Sequence, residues 1–278
     1  MNRQTLGAKH RGSSIVGVAT NVALLLVIVF FGAPFLWILG SAFDAAAIDR
    51  VPWPRQPTLN NFRVLFDEQQ ARSALRNSLI VATSCMVTGT ILAALAGFGL
   101  SRIHFRRKNE LVYAVLLLYA MPLAVTMVAV NDLANRLDLI NTYRGLVFAQ
   151  TAFMLPFLSW LMKGFYDAVP RHLDEAAWLD GGSILRGWWE ILTPVALPGV
   201  VITAGLAFVI AWSDVLLMVI LVTDPGMATL SQQFFTTAEQ TGVATTAALG
   251  VLYIAPVLVV FLLLRQVMLR SLSEGRAR

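Results

Sequence analysis

The chain has 278 residues, of which 57% are hydrophobic and 13% charged, with a mean hydropathy of +0.70. Soluble domains carry roughly 25% charged residues, so this balance excludes a water-soluble globule and describes an all-α polytopic membrane protein. The net charge of +5 lies between apolar runs, where it sets orientation in a bilayer and is no evidence for nucleic-acid binding; the single cysteine, Cys85, excludes an intrachain disulfide.

A helix crosses the hydrocarbon core with ~20 predominantly apolar residues. Uncharged windows of this kind run over residues 15–39, 77–100, 111–130, 145–162 and 243–264, and a sixth, 198–222, carries one charge, Asp214. The expectation is one transmembrane domain over residues 1–278, with 1–14 as a tail and six spans. The first window is too long for the apolar part of a signal peptide and has no obvious cleavage site, so it reads as an uncleaved span. Six crossings put both termini on one side, and two-thirds of the 21 lysines and arginines fall there. The densest group is Arg102, Arg106, Arg107 and Lys108. By the positive-inside rule that side is cytoplasmic.

In chain order, the first external loop (41–76) holds Pro52-Trp53-Pro54-Arg55-Gln56-Pro57, an extended proline-stiffened strip. It reads either as a solvated connector or as a contact surface for an external partner. In the second span Ala93, Ala94, Ala96, Gly97 and Gly99 form a small-residue strip that permits close helix–helix approach. The third span carries Pro122, an expected kink, and ends at Asn131-Asp132. The fifth holds Trp212-Ser213-Asp214. Ionisable groups in spans face a bundle interior or a water-filled cavity, so Asp214 is either paired with an arginine or backbone group or lines a solute path, with Ser213 and Asn131 as further path candidates. The last external loop, 223–242, is polar and free of cations.

The cytoplasmic stretch DEAAWLDGGSILRGWWEILTPVALP, Asp174 to Pro198, reads as two short helices and a hinge. Pro170 suits a first helical turn, Asp174 and Glu175 follow near the positive helix end, Gly181-Gly182 breaks the run, Ser183 caps a second start and Pro194 stops it. On spacing alone it could equally be an amphipathic connector on the membrane surface. The order Glu175-Ala176-Ala177, Asp180-Gly181, Ile191, Pro194 resembles the "EAA" loop of permease subunits of ATP-binding-cassette importers. Gly182 stands where that family often has Ala, and Trp188 where it usually has Phe. Thr58-Leu59-Asn60-Asn61-Phe62, Asn77-Ser78-Leu79-Ile80-Val81 and the segment Asn135 to Gly145 are similar to words of its maltose-type, carbohydrate-uptake branch. Trp212-Ser213-Asp214 departs from that branch, which commonly has Asn before the acid.

The resemblance implies a cytoplasmic coupling loop over about 167–194, between spans four and five. There Glu175 and Asp180 would contact the ATPase or hold the loop's shape, Ala176 and Ala177 would permit close docking, and Gly181 would form the hinge. It implies a second homologous permease subunit, two ATP-binding subunits that carry ATP and Mg²⁺, an external solute-binding protein and a prokaryotic inner-membrane location. The chain itself has no GxxxxGK[ST] phosphate cradle and no HExxH zinc motif. Its three histidines, His10, His104 and His172, fall in cytoplasmic segments, so no catalytic or metal site is expected. The alternative is a self-contained secondary carrier, which would show internal repeats and midplane ionisable groups; no repeat is visible, and Asp214 is the only acid well inside a span.

Overall fold

The structure, a computed structural model, describes residues 5–45, 54, 56–174, 183–237 and 242–275. Helices follow the apolar windows: α1 Thr5–Ala42, α2 Asn60–Asp67, α3 Gln69–Arg102, α4 Lys108–Tyr119, α5 Leu123–Arg136, α6 Tyr143–Asp167, α7 Ile184–Val195, α8 Leu197–Ser213, α9 Leu216–Leu221, α10 Leu230–Thr237 and α11 Val243–Gly275. Among the described residues there is no strand, only an isolated bridge between Asp44 and Pro57. That result follows from the solvent. Backbone in hydrocarbon must close its hydrogen bonds within the segment, which a helix does and an open sheet does not.

Among the described residues, four helices are long and apolar enough to cross a membrane unaided: Thr20–Ala42, Gln69–Arg102, Tyr143–Asp167 and Val243–Val267. The other two expected spans are broken. The third window divides at Pro122, and its halves meet at 89°. Proline has no N–H to continue the helix, and it forces the preceding residue out of helical conformation, so the expected kink is a corner. The fifth window is interrupted at Asp214, and its first part, α8, meets the preceding α7 at 83°. Each bent pair reaches spanning length only when taken together.

The chain forms two compact units. One comprises Met1–Leu65 with Gln240–Val251. In it the segment following α1 folds back on the end of that helix: Thr58 N–H donates to Phe43 O at 2.8 Å, and the Asn61 amide donates to Ala42 O and Asp44 O at 2.9 and 3.0 Å. Phe43 packs on Phe62 with ring centroids 5.0 Å apart. Half of the proline-rich strip, residues 52, 53 and 55, lies outside the described residues.

The second unit, Phe66–Glu239 with Leu252–Arg278, is built on the pairing of α3 with α6, its largest helix–helix interface. The small-residue strip makes that pairing possible. Ala93, Ala94 and Gly97 are buried, and a Cβ on Gly97 would lie 2.6 Å from Met162 Cβ and 2.8 Å from the Lys163 amide nitrogen. α8 lies against the same pair, with Gly199 directly beneath the Phe165 ring. Trp212 then ties α8 to α11: its indole N–H donates to Tyr253 O at 3.0 Å, and the two rings sit 6.2 Å apart.

Backbone cannot yield as a flexible side chain can. Gly97→Val should therefore separate α3 from α6 and destabilise the detergent-solubilised protein by about 1–3 kcal/mol or more. Gly164→Ala, which faces open space, should leave thermal unfolding unchanged. Equal melting curves for the two variants would remove the close approach from the account of the fold.

Candidate functional site

The break at Asp214 gathers polar groups from several helices within the apolar bundle. α8 stops at Ser213 because Asp214 turns extended (φ −72°, ψ 125°) before α9 begins. A helix start leaves N–H groups without intrahelical partners, and Asp214 Oδ1 accepts one of them, from Leu217, at 3.3 Å. Oδ2 accepts from the Gln150 amide of α6 at 3.1 Å. The backbone carbonyl of Asp214 accepts the Ser231 hydroxyl of α10 at 2.8 Å. Gln150 is itself fixed from the other side by the Cys85 thiol of α3, 3.3 Å from its Oε1.

Asp214 is thus held by an amide and by backbone, and no arginine is among its partners; of the two sequence-level pairings, the backbone one is present. The same carboxylate also lines a cavity of about 420 Å³ together with Ser213, Gln150, Tyr119, Met121 and Phe153. Asp214 therefore both braces the break and presents a polar edge to this pocket. Aromatic and thioether walls with a few convergent polar groups are the composition of small-molecule pockets.

Asn131 does not join this cavity. It is exposed on α5, where its Oδ1 and main-chain O accept from the Asn135 amide one turn on, at 2.8 and 2.9 Å. Gln150 and Tyr119, which do line the cavity, gave no sequence signal. A lone amide or phenol in an apolar run has no periodicity to reveal its partner.

The segment after α9 is not a free loop. Asn77, fully buried near the start of α3, donates to Gly226 O and Ala228 O, both at 2.9 Å, and accepts the Tyr143 hydroxyl at 2.6 Å. Ser78 Oγ accepts the Leu230 N–H at 2.7 Å. Asn141, in the left-handed region at φ 56° that Asn tolerates better than most residues, accepts the Thr223 and Asp224 N–H groups at 2.8 and 3.0 Å. Its own N–H donates to Leu221 O at 2.9 Å. Gly145 is required beneath this turn, since a Cβ there would sit 2.1 Å from Leu139 O.

At the other end of α3, Glu175, Ala176, Ala177, Asp180 and Gly181 lie outside the described residues, but both roots of their loop are described. At the first root, Arg102 and Asp174 form a buried ion pair, Nε to Oδ2 2.5 Å, with side-chain exposures of 4% and 7%. It is a charge contact without an aligned hydrogen bond, for neither atom has a hydrogen-bond partner. Arg102 also donates from Nη2 to Val169 O at 2.8 Å, and Ser101 donates to Asp167 Oδ1 at 2.6 Å. At the second root, Ser183 caps α7 by accepting the Arg186 N–H at 3.2 Å. The Trp188 indole donates to the buried Tyr166 hydroxyl at 3.0 Å and packs on Phe98. Phe98 and Tyr166 give the Trp in place of Phe a specific partner set.

Interrupted apolar helices beside a pocket with a few convergent polar groups suit a transport permease, and the comparisons identify the family. Residues 72–273 match the family described as binding-protein-dependent transport system inner membrane component, and the chain belongs to that family. It is 30% identical over 263 residues to the maltodextrin transport system permease protein MdxG of Bacillus subtilis, covering 93% of this chain and 95% of that one. It is 28% identical over 273 residues to the trehalose transport system permease protein SugB of Mycobacterium tuberculosis, covering 94% and 98%. Its fold is similar to a chain of the crystal structure of a bacterial ABC transporter involved in the import of the acidic polysaccharide alginate. There the TM-score is 0.77 at 16% identity, over 92% of this chain and 97% of that chain. The protein is a permease subunit of an ABC importer.

Asn77→Ala should leave two carbonyls and the Tyr143 hydroxyl without their partner, a cost of about 1–3 kcal/mol. Local opening of residues 223–237 should then rise about tenfold, read as faster limited proteolysis or amide exchange in that segment alone. Unchanged protection there would refute the bracing role.

Proposed function

We propose that this chain forms, with a second homologous permease, the inner-membrane path for a sugar or sugar-like solute, driven by two separate ATPase subunits. The observation that carries the transport reading is the cavity at membrane depth edged by Gln150, Ser213 and Asp214 in a member of an inner-membrane transport family. The sugar reading is supported by the maltodextrin and trehalose permeases among its relatives. Six crossings, counting each bent helix pair as one, put both termini in the cytoplasm, as the basic flanks require.

ATP and Mg²⁺ belong to the partner subunits, and this chain holds no ATPase site of its own. Its share of the work is conformational. An external binding protein delivers solute, and ATP binding draws the two ATPase subunits together. Their motion is received by the loop over about 167–194, with Glu175 and Asp180 shaping or contacting the ATPase face, Ala176 and Ala177 allowing close docking, and Gly181 as the hinge. Work of this kind requires contacts that differ between inward- and outward-facing states; the α8 break at Asp214 is a place where the path can change shape.

The test is uptake of radiolabelled maltodextrin and trehalose in cells expressing the tagged chain with its neighbouring subunits. Glu175→Ala and Gly181→Pro should abolish uptake while the protein stays in the membrane with its partners. Asp214→Asn should change the uptake kinetics without releasing the ATPase subunits. Normal transport by both loop variants would contradict coupling through residues 167–194, and ATP hydrolysis by the purified chain alone would overturn the division of labour.

A further inference from the structure

We propose that the buried Arg102–Asp174 pair is a latch through which the cytoplasmic loop drives α3, and through α3 the external segment at residues 226–231; this rests on the reading of the chain as an ATPase-driven permease. The last turn of α3 grips the chain leaving α6 at three points. Ser101 holds Asp167 at 2.6 Å, and Arg102 holds the Val169 carbonyl at 2.8 Å and the Asp174 carboxylate at 2.5 Å. Asp174 immediately precedes Glu175, the first residue of the motif expected to meet the ATPase.

Burial makes the grip mechanical. The two side chains are almost fully enclosed, and separating opposite charges in a dry place leaves each uncompensated. The guanidinium is a rigid planar fork with its other arm committed to Val169. When Asp174 moves, following it with α3 is easier than leaving Arg102 behind. α3 is an unbroken helix of 34 residues without an internal proline, so displacement at one end is carried to the other. At that far end Asn77 and Ser78 hold Gly226, Ala228 and Leu230, and Ser231 holds the Asp214 carbonyl at the cavity. The connection between spans four and five is then one of two outputs of the loop; the other runs through the second span.

The experiment uses the full chain, purified through a tag with its co-purifying subunits. A Phe235→Cys reporter is placed on α10, where Phe235 is exposed; the native Cys85 is fully buried and silent to a membrane-impermeant maleimide. In the latch-intact form, ATP with vanadate should change the labelling rate about fivefold or more. In Arg102→Met and in Asp174→Asn that response should fall to near unity while the ATPase subunits still co-purify and hydrolyse ATP. The charge-swapped pair Arg102→Asp with Asp174→Arg should recover part of it, the signature of a pairwise interaction. If the single variants fail to reach the membrane, Arg102→Lys carries the test: the charge remains, the fork to Val169 is lost, and the response should shrink. A response equal to the latch-intact form in the single variants or in Arg102→Lys overturns the latch, as does no response in the latch-intact form. Failure of any ATPase subunit to co-purify with the latch-intact form instead defeats the transport reading beneath it.

Discussion

Backbone that leaves a helix inside a membrane protein must find its hydrogen-bond partners in the protein, because hydrocarbon offers none. This chain leaves the helix repeatedly, at Pro122, at Asp214 and again before α10, and short polar side chains meet much of the resulting demand. Asp214 takes the Leu217 N–H, Asn141 takes those of Thr223 and Asp224, and Asn77 supplies donors to Gly226 and Ala228. These groups sit on different helices, so satisfying the backbone also determines which helices stand together. Asp214 at one break also edges the pocket, while Asn77 and Asn141 tie down the segment between α9 and α10.

Against these movable parts stands the α3–α6 pair. Its interface is set by the absence of side chain at Gly97, where helix backbone meets helix backbone. In lipid there is no hydrophobic drive between apolar helices, and association rests on close packing. A pair joined in this way serves as the frame to which the loop roots, α8 and the external segment attach. Tyr166 and Phe98 receive Trp188 from one end of the cytoplasmic loop, and Arg102 receives Asp174 from the other. The frame is anchored at the Arg102 end by charge and aromatic contacts and at the Asn77 end by amides.

Spans were legible because a bilayer selects composition over a fixed length, a demand that each segment meets alone. The strip at Ala93, Ala94 and Gly97 was legible for a related reason, since small residues in a span have few other uses. What sequence could not supply was pairing at a distance. Gln150 and Asp214 are separated by 64 residues and Asn77 and Ala228 by 151, and no local pattern marks either meeting. Asn131 was drawn into the candidate path because it is a polar residue at a span end, yet Asn135 one turn away occupies its acceptors. Pro122 announced a bend but not its size, because the angle depends on what packs around the corner.

The apolar stretch of α1 differs from the other three unbroken spans: in the window Thr20–Ala42 not one residue of the most apolar 18-residue stretch is buried. Over that stretch the fold asks of the side chains oiliness and number more than order. Such a segment can drift in identity from one lineage to the next while α3, with backbone against backbone at Gly97, cannot. Divergence among related chains should therefore be steeper along the amino-terminal rod than along the α3–α6 seam.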